Sequence, residues 1–110
     1  MAGDSFKVFW TRTAYQDIED IIDYISLDSP NTAREIFTRI RTKSATLINL
    51  PHRGRIVPEL KFYNIITYRE LIAAPWRIIY RVEHDTVYVM SVIDGKRNIE
   101  DLLLARLIRE

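Results

Sequence analysis

The sequence predicts an α+β domain in which a helical hairpin packs on a small, mostly antiparallel sheet. A short apolar strand, Phe6–Trp10, comes first, and two segments with helical spacing follow it. Tyr68–Arg97 then reads as three strands and a small basic loop, before a last helix at Ile99–Arg109. Short runs rich in Ile, Val, Tyr and Trp, separated by polar or proline-containing breaks, are typical of a hairpin meander. The predicted order is therefore β-α-α-β-β-β with a C-terminal helix.

Length and composition restrict the class of protein. At 110 residues and 13.0 kDa, we expect residues 1–110 to form a single domain. The absence of cysteine excludes disulfides and thiolate metal sites. No signal peptide is recognisable, and no run approaches the roughly 20 apolar residues of a membrane span. We therefore expect a cytoplasmic protein with no cofactor, no metal and no membrane association.

Two helices are predicted between the first strand and the meander. Thr13 and Gln16 have the spacing of a capping box. A stripe of apolar residues follows at helical intervals: Ala14, Ile18, Ile21, Ile22 and Ile25. Ser29-Pro30 then predicts a new helix start, with a capping hydroxyl before a proline at the first helical position. The second helix is expected to end at Pro51, and the two helices to fold back on each other.

The remaining segments complete the predicted sheet. Pro51–Glu59 is expected to be a loop, and Phe62–Thr67 a short strand leading into the meander. Asn98 is a candidate cap for the final helix, in which we assign Arg106 to the apolar stripe. The first strand is expected beside the meander, giving about four strands. Such a sheet has one well-covered face, so the other face is predicted to be an open groove.

The middle strand of the meander presents different residues on its two faces. One face carries apolar and aromatic side chains: Trp76, Ile78, Tyr80 and Val82. The other face carries Arg77, Ile79 and Arg81. Because a guanidinium is always charged and has a rigid fork of donors, we expect this face to hold an anion or a carboxylate. The partner is either an external molecule or a nearby acid, Glu70 or Glu83.

The charges are unevenly distributed although the net charge is only +1. The first helix is acidic, with Asp17, Glu19, Asp20, Asp23 and Asp28. The following segment is basic, with Arg34, Arg39, Arg41, Lys43, Arg53 and Arg55. This division either directs an anionic partner to the second half or lets two solvated helix faces attract each other across the hairpin.

Most common catalytic arrangements are missing. His52 and His84 have no second histidine at metal spacing and no adjacent nucleophile. Glu19 and Asp23 could share a metal ion, but carboxylates on this helix face are more typical of solvated charge. The remaining candidates are arginines: Arg55, Arg69, Arg77, Arg81 and Arg97. Arginine can stabilise charge on a phosphate but is a poor base, so these residues supply half of a ribonuclease mechanism.

A series of short motifs runs from Val8 to Arg97. The motifs are WT, DI and YI in the first strand and helix, SP at the second helix, LP and GRIVPE in the loop, and YREL, WRIIYRV and VIDGKR in the meander. Their order and spacing resemble the RelE/ParE toxins of bacterial type II toxin–antitoxin modules. The resemblance implies the fold predicted above. It also implies a cognate antitoxin whose C-terminal segment wraps the toxin.

The resemblance implies two targets and a partial nuclease site. RelE-like toxins cut messenger RNA in the ribosome, whereas ParE-like toxins bind DNA gyrase and trap its cleaved-DNA intermediate. Arg77 and Arg97 occupy positions where RelE-like nucleases use catalytic arginines. Two lysines of those nucleases correspond to Arg69 and Leu71, and their tyrosine falls near Leu103, so the proton-transfer groups are missing. The GRIVPE and YREL motifs and the long hairpin are closer to the ParE-like branch.

The leading hypothesis is a ParE-like gyrase inhibitor from a plasmid-stabilisation module, held inactive by its antitoxin. The alternatives are a ribosome-dependent mRNA endoribonuclease using Arg77 and Arg97, and a degenerate toxin that acts only in antitoxin and operator binding. Operator DNA would be bound only through the antitoxin complex, and a homodimer is left open. Candidate contacts to the target or to nucleic acid are Arg53, Arg55, Arg69, Arg81 and Lys96. Candidate antitoxin anchors are Tyr15, Tyr24 and Trp76.

Overall fold

Five strands form one mixed sheet, and the computed structural model describes residues 5–95 and 99–109. The strands are β1 Lys7–Trp10, β2 Arg55–Ile56, β3 Tyr68–Ala73, β4 Trp76–Glu83 and β5 Thr86–Asp94. The helices are α1 Arg12–Ser26, α2 Pro30–Ala45, α3 Pro58–Lys61 and α4 Ile99–Arg109, with a 3-10 turn at Thr46–Ile48. The predicted fold class, a helical hairpin on an antiparallel-rich sheet, is confirmed.

The sheet is ordered β1-β5-β4-β3-β2. The meander is antiparallel, with Trp76 of β4 opposite Asp94 of β5. β1 joins the far side of β5 as a parallel edge strand, with Val8 opposite Val87. The predicted position of the first strand beside the meander is therefore confirmed. Strand β2, inside the predicted loop, adds the fifth strand, whereas the strand predicted at Phe62–Thr67 is wrong because that segment forms the turn after α3.

Each helix of the hairpin begins at a hydroxyl side chain that accepts the backbone N–H three residues later. Thr11 caps α1, because its Oγ1 accepts the Ala14 N–H at 3.2 Å while donating to the Val89 carbonyl at 3.0 Å. The capping box predicted at Thr13 is wrong, since Thr13 already lies in the first helical turn. The helix start predicted at Ser29-Pro30 is confirmed. Ser29 accepts the backbone N–H of Thr32, and Pro30 is at the first helical position.

One face of the sheet forms the first core with the hairpin. Ile18 of α1 and Ile40 of α2 pack there against Ile78 and Tyr80 of β4, and both β4 residues are fully buried. This is the face predicted from the alternation in β4. The hairpin therefore covers one face of the meander. Strand β1 is the edge strand of the sheet beside the hairpin.

The other face is also covered over much of its area. α3 and α4 pack on it and enclose a second core around Ile79 of β4 and Leu103 of α4, with Val57 and Leu60 from the segment before β3. The predicted open groove is therefore wrong here, because the chain between β2 and β3 supplies an unpredicted helix that covers the sheet. None of the helices in the described segments is long and apolar enough to cross a bilayer.

Candidate functional site

Arg77 lies at the centre of an ion network on the second face of the sheet. The residue is only 8% exposed. Nε donates to Glu70 Oε1 at 2.6 Å, and the two terminal nitrogens donate to both oxygens of Glu59 at 2.8 and 2.7 Å. The bidentate pair joins α3 to β4, since Glu59 is in the first turn of that helix. Arg77 thus holds a neighbouring helix on the sheet.

Glu70 is the most buried charge of this network, with a side chain that is 0% exposed. Its second oxygen accepts from Nε of Arg55 at 2.5 Å. The β2–β3 register explains this contact, because it puts Arg55 directly opposite Glu70. A buried carboxylate is tolerated only when it is paired and hydrogen-bonded, and the two arginines satisfy both oxygens.

The contact between Arg77 and Glu59 favours the charged form of both side chains. The hydrogen bond from Arg77 lowers the pKa of Glu59 below its ordinary value of 4.5. The hydrogen bonds to Glu59 and Glu70 raise the pKa of Arg77. The donors of Arg77 therefore point at carboxylates. Of the two partners that the sequence allows, an external anion or an internal acid, the structure shows the internal acid. Arg81 likewise pairs with Glu83, at 2.9 Å.

The loop before β2 is fixed close to this network. The Gly54 N–H donates to the Tyr80 hydroxyl at 2.9 Å, and Arg69 NH1 donates to the Gly54 carbonyl at 2.7 Å. A Cβ at Gly54 would lie 2.5 Å from the Glu70 carbonyl oxygen and 2.7 Å from the Tyr80 hydroxyl. Burial raises the pKa of Tyr80, so its hydroxyl stays protonated. Arg69 therefore fixes the loop at a position where any side chain on residue 54 would overlap its neighbours.

The other predicted contact residues lie in separate regions. Arg55 borders the network with a side chain that is 61% exposed. Arg81 lies over the ring of Tyr88, with its Cζ 4.9 Å from the ring centroid. Arg53 lies near the end of α2, where its NH1 donates to Thr46 Oγ1. Lys96 and Arg97 lie outside the described residues, as does the candidate cap Asn98.

A second feature is an apolar cleft of about 520 Å³ between the hairpin and β1. Its apolar lining comes from Val8, Trp10, Ile18, Ile22, Phe37 and Ile48. Charged side chains also line it: Glu19, Asp23 and Arg41. The cleft was not predicted, because sequence spacing assigns these apolar residues to the core without showing that β1 is an edge strand.

The three predicted antitoxin anchors lie in different environments. Tyr15 lines the cleft and is 62% exposed. Tyr24 is 76% exposed, farther along α1. Trp76 is half-buried and packs against the first core, and its buried Nε1 has no hydrogen-bond partner in the part of the chain described. Their role as anchors stays a prediction.

Asp17 and Arg106 form a second buried pair, which the sequence interpretation missed. Asp17 accepts from Arg106 NH1 at 2.6 Å and from the Val92 N–H at 3.0 Å. Asp17 was assigned to a solvated helix face and Arg106 to an apolar stripe. Both assignments are wrong, because α4 packs beside β5, where Arg106 reaches both Ser91 of β5 and Asp17 of α1.

No ion pair between α1 and α2 occurs among residues 5–95. The acidic and basic helix faces are therefore not joined by direct ion pairs, although Glu19 and Asp23 of α1 and Arg41 of α2 line the same cleft. Within the described segments, no group of three His, Asp or Glu side chains is arranged to hold a metal ion.

The helical hairpin on a mixed sheet is a fold that solved structures of toxin–antitoxin systems share. One similar solved structure is the chromosomal ParDE toxin–antitoxin system from P. aeruginosa, with a TM-score of 0.68, 21% identity, and coverage of 84% of this chain and 98% of that chain. Another is the toxin–antitoxin complex RelBE2 from Mycobacterium tuberculosis, with a TM-score of 0.56, 18% identity, and coverage of 82% and 91%.

Sequence comparison assigns the family. The ParE toxin family of type II toxin–antitoxin systems, parDE, matches residues 8–99. Toxin RelE2 of Caulobacter vibrioides is 32% identical over 92 residues, covering 83% of this chain and 97% of that protein. The chain therefore belongs to the ParE toxin family of type II toxin–antitoxin systems, which confirms the resemblance drawn from its motifs.

Proposed function

We propose that this protein is a cytoplasmic toxin that inhibits DNA gyrase and that a cognate antitoxin neutralises it. Membership of the ParE toxin family supports the toxin role. The observation that carries the choice of target is the pairing of Arg77 with Glu59 and Glu70. A guanidinium that stabilises a phosphate in a transition state must have donors aimed at that phosphate. The donors of Arg77 are instead directed at internal carboxylates.

The residues at the positions where RelE-like nucleases have proton-transfer groups also favour a binding function over RNA cleavage. Leu71 is 5% exposed and belongs to the first core, and Leu103 is fully buried in the second. Arg69, at the remaining position, donates to the Gly54 carbonyl. General acid and base catalysis needs titratable groups within hydrogen-bond reach of the substrate. Leucines cannot meet this requirement, and an arginine is too weak a base.

A supercoiling assay with purified gyrase tests the proposed target. Increasing amounts of the protein should reduce supercoiling and accumulate cleaved DNA, because the toxin would hold gyrase at its cleaved intermediate. Antitoxin added beforehand should restore normal supercoiling, which controls for nonspecific inhibition. Normal supercoiling at saturating toxin would rule out gyrase as the target.

The apolar cleft is the proposed binding site of the antitoxin. An apolar segment with a few charged residues would fit it, because its lining is apolar and Arg41, Glu19 and Asp23 provide charges of both signs. Tyr15 is exposed there and is the proposed anchor. Tyr15→Ala should weaken antitoxin binding by at least about tenfold, the effect of losing a moderate hot spot.

Phe62→Ala is the control, since it removes an exposed aromatic side chain that does not line the cleft. Isothermal titration of both variants with the antitoxin would compare them directly. Equal losses for the two variants, or no loss for Tyr15→Ala, would show that the cleft is not the binding site.

A ribosome-dependent endoribonuclease is the second candidate, favoured by the 32% identity to Toxin RelE2. It predicts transcript cleavage on translating ribosomes that is lost in Arg77→Ala and Arg97→Ala without unfolding. Arg81→Ala, on the same strand face, should keep the cleavage. Absence of cleavage by the unaltered protein would exclude this function. Expression without growth arrest would contradict both candidates and leave antitoxin and operator binding as the role.

A further inference from the structure

The outward side of α2 is polar and positively charged. A shallow depression along it is lined by Arg34, Thr38, Arg39, Thr42, Lys43 and Thr46, together with Asn31 and Glu35. Arg53 extends this surface past the end of α2, because its NH1 donates to Thr46 Oγ1 at 2.8 Å. We call this surface, from Asn31 to Thr46 together with Arg53, the basic face.

Helical spacing explains why these residues share one side. They recur at intervals of three and four along α2, whereas Ala33 and Ile40 point into the core and are almost completely buried. At about 1.5 Å per residue, the 16 residues of α2 make a straight face about 24 Å long. A regular element therefore presents the charges in a line.

The charges of the basic face are not neutralised by neighbouring acids. In the described part of the chain, neither Arg34, Arg39 and Lys43 nor Arg53 forms an ion pair. Their hydrogen bonds go to neutral oxygens: Arg34 donates to Asn31 Oδ1 at 3.1 Å and Arg39 to the Ala74 carbonyl at 2.9 Å. By contrast, four other arginines each have a carboxylate partner: Arg55, Arg77, Arg81 and Arg106. Glu35 is the one acid that lines the basic face.

The composition of the face indicates the chemistry of its partner. A protein interface usually has an apolar centre surrounded by a polar rim, but the lining of this face contains no large apolar side chain. Phosphate oxygens of nucleic acids are contacted mainly by Arg, Lys, Thr, Ser and Asn, which are the residue types present. We propose that the basic face binds the phosphodiester backbone of a nucleic acid duplex.

This inference goes beyond the proposed function, since backbone binding by α2 does not require gyrase to be the target. It also differs from the expectation that DNA is bound only through the antitoxin complex. No base-reading side chain is assigned, so the binding should be independent of sequence.

The salt dependence of binding tests the proposal. The purified full chain is titrated against a short labelled DNA duplex of arbitrary sequence, and fluorescence anisotropy is recorded at several salt concentrations. Four phosphate contacts predict a slope of log Kobs against log salt of about −3.6, at 0.9 for each contact. Arg34→Gln, Arg39→Gln and Lys43→Gln together should leave one contact and a slope of about −1.

The matched control removes the same charge elsewhere. Lys7→Gln, Arg12→Gln and Lys61→Gln together replace exposed cations outside the basic face and should leave the slope within about 1 of the unaltered value. Melting curves of both triple variants, and the single Arg34→Gln variant, establish that the changes do not act through unfolding. Equal loss in both triple variants would overturn the proposal, because net charge alone would then explain binding.

Further ligands identify the source of the phosphates. RNA duplex of the same length, compared with DNA duplex, shows which nucleic acid the face prefers, and binding of either supports the proposal. A poly-glutamate peptide is the competing class of anion. If the peptide binds through the basic face and neither duplex binds at low salt, the surface is a protein contact and the proposal fails.

Discussion

Replacement of Arg77 by alanine should destabilise the protein strongly. The change deletes three charge-assisted hydrogen bonds and leaves the fully buried Glu70 next to an empty space. Breaking a buried ion pair by removing one partner costs about 3 to 5 kcal/mol. Glu70 keeps its contact with Arg55, so we expect the lower end, about 3 kcal/mol. For a domain of this size, that corresponds to a decrease in Tm of about 12 °C.

Urea unfolding followed by circular dichroism would measure the loss, with Arg81→Ala as the matched control. Arg81 is on the same strand face, but its carboxylate partner is half exposed and its ion pair is near the surface. Such a pair, with the contact to Tyr88, contributes about 1 kcal/mol or less. The control should therefore lower the Tm by about 4 °C or less.

A double variant separates charge burial from lost packing. The variant that combines Arg77→Met with Glu70→Gln has no uncompensated charge in the core. Its loss of unfolding free energy should therefore be smaller, by more than about 1 kcal/mol, than the sum of the losses in the two single variants Arg77→Met and Glu70→Gln. If Arg77→Ala instead melts like the unaltered protein, the network does not hold α3 on the sheet. Loss of transcript cleavage by that stable variant would favour a catalytic role for Arg77.

Further predictions concern the loop, the acid limit of stability and the last helix. Gly54→Ala should cost about 1 to 3 kcal/mol, measured by thermal melting, because the new Cβ would overlap the Glu70 carbonyl oxygen and the Tyr80 hydroxyl. A retained melting temperature would mean that the loop can shift. The lowered pKa of Glu59 gives stability that is present above pH 4.5 and is lost as the pH falls through the folded-state pKa. Glu59→Gln should therefore reduce stability at pH 7 and reduce it much less at pH 3. An equal loss of stability at both pH values would contradict this reasoning. Asp17→Ala should cost about 2 to 3 kcal/mol by urea unfolding and increase hydrogen exchange in α4, because Arg106 loses its carboxylate acceptor and keeps only the Ser91 hydroxyl. Unchanged exchange would show that the ion pair does not hold this helix.

Periodicity predicted the elements whose burial follows one simple pattern. The helices show apolar residues at intervals of three and four, and β4 alternates between Ile78 and Tyr80 on one face and Arg77 and Ile79 on the other. The short elements escaped prediction. β2 has two residues and α3 has four, so neither contains enough residues to establish a period.

The environments of the charged residues could not be predicted because they depend on contacts distant in sequence. Asp17 and Arg106 are separated by 89 positions, and only the packing of α4 beside β5 brings them together. Glu59 gave no signal as a partner of Arg77, since it was assigned to a loop. The sequence does indicate Glu70 as a partner, because neighbouring strands of a meander bring cross-strand side chains within reach.

The distribution of paired and unpaired arginines matters more for function than the net charge of +1. A guanidinium that is already bonded to a buried carboxylate, such as Arg77, gains little from a phosphate, because it would have to break an existing charge-assisted bond and leave the acid unpaired. Arg34 and Arg39 have only neutral partners, so a phosphate would replace weak hydrogen bonds by charged ones. The same residue type therefore stabilises the fold on the sheet and remains available for an external polyanion on α2.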